Sequence, residues 1–196
     1  KTKTIIKHKN NHNSQGDLFM DNSNILKLKS LMRNVPDYPI PGINFFDITT
    51  ILKDSVGLKL SINEMYESIK DMKIDKVAGT ESRGFIFGVP LALKLGVGFI
   101  PIRKPGKLPA ETISKEYSLE YGTNKIEIHK DAVSPGENIL LVDDLIATGG
   151  TAKASVDLIK ELGGNVPAFL SLVELKFLNG RELLEEIKVI SILKYN

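Results

Sequence analysis

The sequence predicts an α/β fold, a mainly parallel central sheet flanked by helices, and three observations carry that prediction. Short apolar runs of strand length alternate along the chain with longer stretches whose apolar residues recur every three or four positions; this alternation puts helices on the faces of a parallel sheet. The run "NILLV" (Asn138–Val142) is apolar almost throughout, as befits a strand covered on both faces. The 196 residues, 42% hydrophobic and 26% charged, suffice for one substantial core but not comfortably for two. Cysteine is absent, which excludes disulfides, thiolate nucleophiles and cysteine-held metals and fits a reducing compartment.

Residues 1–24 are Asn-rich and lack periodicity, so this stretch is expected to be a disordered tail. The chain opens on Lys1, and Met20 is a candidate internal start. The net charge of +2 is unevenly spread, since Lys1 to Val35 holds seven Lys or Arg against Asp17 and Asp21. A single domain is expected over 25–196. It begins with a short helix, "ILKLKSLMRN", which must end before the three prolines of "VPDYPIPG". In "SVGLKLSINEMYESIKDM", Leu58, Ile62, Met65, Ile69 and Met72 form one helical stripe. Then come "KVAG" as a strand, "GFIFGVPLALKLG" as a helix stopped by Gly96, and "VGFIPI" as a strand. Arg103 to Tyr121 shows no clean period and reads as a long charged loop. "KIEIHK" alternates like a half-exposed strand, "GTAKASVDLIKELGG" is a helix closed by glycines, and "AFLSLVEL" is another strand. No run approaches the roughly 18–20 apolar residues that span a bilayer, so neither a membrane nor, given the unpatterned basic tail, a nucleic acid is an expected partner.

Chemistry concentrates in "ILLVDDLIATGGTAKAS" (Ile139–Ser155). A buried strand leads into Asp143 and Asp144, whose carboxylates are expected just past its end, where ligands of parallel sheets bind; Gly79 to Gly84 falls at a corresponding place. Thr148 to Thr151 then opens a helix. Free N–H groups there attract an anion, Gly149 and Gly150 let a phosphate approach the backbone, and Thr148 and Thr151 can add hydroxyl donors. The duller alternative is a helix entered through a polar, capped turn. A P-loop is excluded because Lys153 stands at the wrong offset, and no G-x-G-x-x-G follows an early strand. A phosphate beside two acids implies a sugar between them, because carboxylates accept from vicinal hydroxyls or hold Mg²⁺.

"VDDLIATGGT" resembles the 5-phosphoribosyl diphosphate (PRPP) motif of the type I phosphoribosyltransferases. "PDYPIPGINFFDIT", "GTESRGFIFG" with "IRKPGKLP", and "YSLEYGTNKIEIHKDA" resemble, in this order, the adenine phosphoribosyltransferases. The likeness runs from about Val35 to the C-terminus and includes "SLVEL" and "NGREL". It implies a type I phosphoribosyltransferase fold with an N-terminal base-binding hood (36–50) and a mobile lid loop (about 107–122). The implied reaction joins adenine to PRPP with Mg²⁺, giving AMP and diphosphate in purine salvage, in a homodimer; the lack of cysteine and of a clear targeting signal makes the cytoplasm the expected compartment.

By the same resemblance Asp143 and Asp144 hold the ribose hydroxyls and favour the positive charge that develops on the ribose, while Ala147, Thr148, Gly149, Gly150 and Thr151 cradle the 5-phosphate. Mg²⁺ is held mainly by PRPP and water, with Asp143 or Asp144 as the protein ligand. Glu81, Ser82 and Arg83, in a turn with a cis peptide expected at Glu81–Ser82, serve the diphosphate together with Arg103, Lys104 and Lys107, Arg103 reaching a neighbouring subunit. Adenine is read by the backbone of Asn44 and Phe46, stacks between Phe45 and Leu145, and meets Arg83 at its far edge. Some relatives carry Arg or another polar residue where Phe46 stands. Glu120 assists proton transfer from the purine, and Tyr121 closes the lid. The competing expectations are a phosphoribosyltransferase for hypoxanthine, guanine or another base, and a non-catalytic nucleotide-sensing regulator.

Overall fold

The computed structural model describes residues 22–38, 41–42, 44–118 and 123–196. The first helix, α1, spans Asn22–Leu31. It starts before the apolar pattern does because Asn24 Nδ2 donates to Glu64 Oε1 at 2.7 Å, and it ends early because Arg33–Val35 (β1) leaves to pair antiparallel with Phe45–Asp47 (β2). The short α2 (Thr49–Leu52) leads into α3 (Ser55–Glu67), whose first turn is capped by the Asp54 carboxylate accepting from the Gly57 N–H at 2.7 Å. The predicted helix runs on to Met72; here it stops at Glu67, with Ser68 to Met72 continuing as turns.

From there the alternation is as expected: β3 (Lys76–Thr80), α4 (Arg83–Leu95, ended by Gly96 at φ +70°) and β4 (Gly98–Ile102). The stretch read as an aperiodic loop is different. Thr112–Ser118 forms a strand, β5, zipped in antiparallel register to β6 (Thr123–His129). Ile113 and Tyr117, four apart on one face of β5, pack toward the core beside Ile126 and Ile128, and that tertiary partner stabilises a strand that charged Lys115 and Glu116 obscure in the sequence.

β7 (Ile139–Ile146), α5 (Gly150–Glu161), β8 (Ala168–Leu175) and β9 (Lys188–Tyr195) complete the chain, with 3-10 turns at Lys176–Leu178 and Gly180–Leu184. The strands stand in the order β4-β3-β7-β8-β9, all parallel. The closing strand β9 is not among the sequence expectations. α1, α3 and α4 cover one face of the sheet, with Leu28, Met65, Phe87 and Leu91 packed on Val77, Leu140, Val142 and Leu170. α5 covers the other, with Val156, Leu158 and Ile159 against Ala78, Leu141 and Phe169. Among the described residues no helix is long and apolar enough to cross a membrane.

Candidate active site

Asp143 and Asp144 are not past the end of β7 but within it. The neighbouring strand β8 runs alongside in register, Asp143 opposite Ser171 and Ile146 opposite Glu174, so the ladder continues through both acids. Asp144 is buried, its N–H donating to Asp143 Oδ1 at 2.8 Å. The helix α4 explains its other partner. Gly84 lies so close to β7 that a Cβ there would meet Val142 O at 2.8 Å, and this approach sets Arg83 Nε 3.0 Å from Asp144 Oδ2. The contact is an ion pair without hydrogen-bond alignment, leaving Asp144 Oδ2 buried with no hydrogen-bond donor aimed at it. Burial pushes the Asp143 carboxyl well above the usual range, and the charge of Asp144 pushes it further. Burial likewise raises Asp144, against the pull of Arg83.

Beyond the acids, β7 ends at Ile146 and Gly149 turns at φ +83° into α5. No side chain caps this helix. The capped-turn alternative is therefore not what the fold contains, and the first-turn N–H groups of a twelve-residue helix face the cleft unpaired within the helix. The cleft itself, of about 240 Å³, is walled by Thr80, Glu81, Arg83, Lys104, Leu145 and the run Ala147–Thr151, with Asp143 and Asp144 in its floor. It also draws in Tyr117 and Ile126 from the β5–β6 hairpin, together with Ile146 and Ala152. Thr80 falls in the expected Gly79–Gly84 stretch and Tyr117 in the expected lid, but neither they nor Ile126 are among the individual site residues read from the sequence. Tyr117 shares a face of β5 with Ile113, but the exposed, charged Lys115 between them breaks the apolar alternation that would mark an inward face in the sequence.

The turn before α4 carries the expected cis peptide at Glu81–Ser82. The Glu81 carboxylate does not itself offer a place to an anion. It accepts from Arg103 Nε and the Lys104 N–H, both at 3.1 Å, and lies 3.5 Å from Lys107 Nζ. Burial works to raise Glu81, but these donors outweigh it and hold the carboxyl below its ordinary range. Two of the cations expected around a diphosphate, Arg103 and Lys107, are thus gathered on one acid, which Lys104 meets only through its backbone N–H. Of the six residues expected there, Glu81, Arg83 and Lys104 line the cleft, while Ser82, Arg103 and Lys107 are not part of its lining.

The hood residues are not brought to this wall. Among the described residues, Asn44, Phe45 and Phe46 lie outside the cleft lining, on and beside the two-stranded ribbon β1–β2, which is separate from the central sheet. Asn44 is exposed. Phe45 packs edge-on against Tyr38, centroids 5.2 Å apart. Phe46 points the other way, its ring 4.3 Å from Tyr195 and against the main core, so the side chain at this position serves packing. Glu120 and Tyr121 lie outside the described residues, between the paired ends Ser118 and Thr123 of the hairpin. Among the described residues no group of three or more His, Asp or Glu stands close enough to cage a metal. Of the cleft carboxylates, Glu81 and Asp144 are already paired with cations; that donor set suits an ion that takes most of its ligands from phosphate oxygens and water.

A parallel sheet with two desolvated acids beside an uncapped helix start defines the protein's class, and residues 49–175 match the family model of the phosphoribosyl transferase domain. The enzyme of Halothermothrix orenii named adenine phosphoribosyltransferase is 56% identical over 169 residues, spanning 86% of this chain and 99% of the relative. That of Chloroflexus aurantiacus is 54% identical over 168 residues, 86% and 97% respectively. The crystal structure of the Thermoanaerobacter pseudethanolicus adenine phosphoribosyltransferase, 51% identical, superposes with a TM-score of 0.85 over 87% of this chain and 99% of that one. The Saccharomyces cerevisiae enzyme, solved with an imino-altritol bisphosphate and adenine, is 40% identical with a TM-score of 0.81, over 87% and 98%. The chain belongs to the adenine phosphoribosyltransferase family and has the type I phosphoribosyltransferase fold.

Proposed function

We propose that the protein transfers the 5-phosphoribosyl group of PRPP to adenine, yielding AMP and diphosphate, in purine salvage. One observation carries the site reading: the uncapped start of α5 opens on the same cleft as Asp143 and Asp144. The N–H groups from Thr148 to Thr151 would bind the 5-phosphate. The ribose hydroxyls would donate to Asp143 and Asp144, which gain from such donors what burial takes from them. As the bond from the anomeric carbon to diphosphate breaks and the bond to the purine nitrogen forms, positive charge grows on the sugar, and these fixed negative groups stabilise it where it develops. Arg83, Lys104 and the Glu81 turn face the departing diphosphate, with Arg103 and Lys107 as further cations on Glu81. Mg²⁺ bound with PRPP would add neutralisation of the diphosphate, held by Asp143 or Asp144 directly or through water.

Leu145 lines the cleft and would give adenine its lower face, with Phe45 above it once the hood meets the cleft, and Arg83 at the far edge of the ring. Backbone groups of Asn44 and Phe46 reading the amino edge would leave buried groups unpaired against a 6-oxo purine, a penalty of about 1–3 kcal/mol each. Glu120 would take part in moving the purine proton, and Tyr121 in closing the lid. A second copy of the chain is part of this reading, supported by the exposed apolar stripe Ile86, Val89 and Leu93 on α4.

The test is turnover of PRPP and Mg²⁺ with adenine, hypoxanthine, guanine and xanthine in parallel, reading nucleotide and diphosphate together. AMP from adenine alone is expected. Turnover of a 6-oxo purine would overturn the hood assignment, and PRPP binding without turnover of any base would place the protein among nucleotide-sensing regulators.

A further inference from the structure

The phosphate loop has a backing that lies outside the loop's own sequence. Gly149 and Gly180 meet backbone to backbone: a Cβ on Gly149 would fall 2.2 Å from Gly180 O, and one on Gly180 would fall 2.1 Å from Ala147 O and 2.7 Å from Gly149 N. Real Cβ atoms do not approach so closely, so Gly180 is the floor on which Ala147–Gly149 rests. Gly180 is buried, at the start of the 3-10 turn that runs to Leu184 and just after Asn179 in the left-handed conformation. What fixes that turn is its next residue. The Arg181 guanidinium donates twice to the Glu174 carboxylate, Nε to Oε1 at 2.7 Å and Nη2 to Oε2 at 2.9 Å. Glu174 is itself rigid, buried in β8 directly opposite Ile146, the residue before the loop begins. Strand, ion pair, turn and loop thus form a closed ring: β7 to β8 through the ladder, β8 to Arg181 through two hydrogen bonds, and Gly180 back to the loop through van der Waals contact.

We propose that Arg181, clamped on Glu174, is a positioning residue that sets the backbone of the 5-phosphate loop through Gly180. An anion bound by backbone N–H groups needs several of them convergent at once, and a shift of a fraction of an ångström misaims them together. A two-pronged guanidinium–carboxylate contact fixes direction as well as distance, which a lysine ammonium cannot do. The pair touches no substrate atom.

This inference rests on the phosphoribosyl reading of the cleft, and its test separates the two. Ribose 5-phosphate binding is measured by calorimetry, and PRPP and adenine kinetics by initial rates, for the wild type, Arg181→Ala, Arg181→Lys and Glu174→Gln. Arg181 is half-exposed, and melting temperatures check that each variant folds. The expected result is a loss of ribose 5-phosphate affinity and a rise in KM for PRPP of about tenfold or more in all three variants, with kcat at saturating PRPP and KM for adenine within about threefold of wild type. Unchanged ribose 5-phosphate affinity in Arg181→Ala, full rescue by Arg181→Lys, or an equal loss toward PRPP and adenine would overturn the positioning role while leaving the function intact. A wild-type protein that binds no ribose 5-phosphate would overturn both.

Discussion

Asp143 and Asp144 work against the stability of the empty protein. A carboxyl raised by the fold binds its proton more tightly folded than unfolded, so its contribution to stability falls as pH climbs past the unfolded pKa of about 3.9 and is fully adverse above the folded value. Asp143→Asn is therefore expected to raise the melting temperature at neutral pH by about 2–4 °C, with the gap closing in acid, while turnover drops by on the order of 100-fold. Scanning calorimetry of both proteins across pH checks the first, and AMP formation the second. A variant no more stable than wild type at neutral pH would contradict the strain read from burial. These two acids, with the glycines and threonines after them, were legible in the sequence because they stand in one short stretch whose chemistry is local. The Glu81 cluster was not, because its cations arrive from a different strand end, twenty-odd residues on. Sequence spacing says nothing of which acid such cations will meet.

The elements were legible wherever an apolar period ran unbroken. α4, α5 and β8 follow the expected stretches closely, since each buries a continuous face, whereas β7 runs on past Val142 through both acids to Ile146. β5 and β9 are not legible although each pairs with the strand before or after it in the chain: charged residues, Lys115 and Glu116 in β5 and Lys188 and Lys194 in β9, interrupt the apolar pattern. The hood ribbon shows how a weak element is held. Between β1 and β2, Arg33 Nε donates to Asp47 Oδ2 at 2.9 Å while the Thr49 N–H donates to Oδ1 at 2.8 Å. The hydrogen bonds from Thr49 and Arg33 lower the Asp47 carboxyl from 3.8 to about 2. A lowered carboxyl contributes stability that is complete above pH 3.8 and is lost as pH falls through about 2. Asp47→Asn should accordingly melt below wild type at neutral pH, with the difference shrinking over that acid window. A gap independent of pH would mean that the carboxylate's charge has no part in it.

In the whole molecule, α4 does two jobs at its two ends. Its first residue, Arg83, stands on Asp144 in the cleft, and the stripe Ile86, Val89 and Leu93 faces outward along the same rod, with Leu93 76% exposed. Spacings of three and four put these side chains on one side of the helix, and a second copy is the occupant proposed for it. Despite Pro90 in its interior, both ends of α4 are seated on the same sheet through Phe87 and Leu91, so the seating of one end is felt at the other. The consequence is mass action on catalysis: specific activity should not be a constant of the protein but should fall on dilution, as paired subunits part. Leu93→Glu, far from the cleft, should move that fall to higher protein concentration, read by activity and sedimentation on the same samples. Activity per subunit that is flat across the dilution range, while sedimentation shows pairs coming apart, would uncouple the two ends of α4.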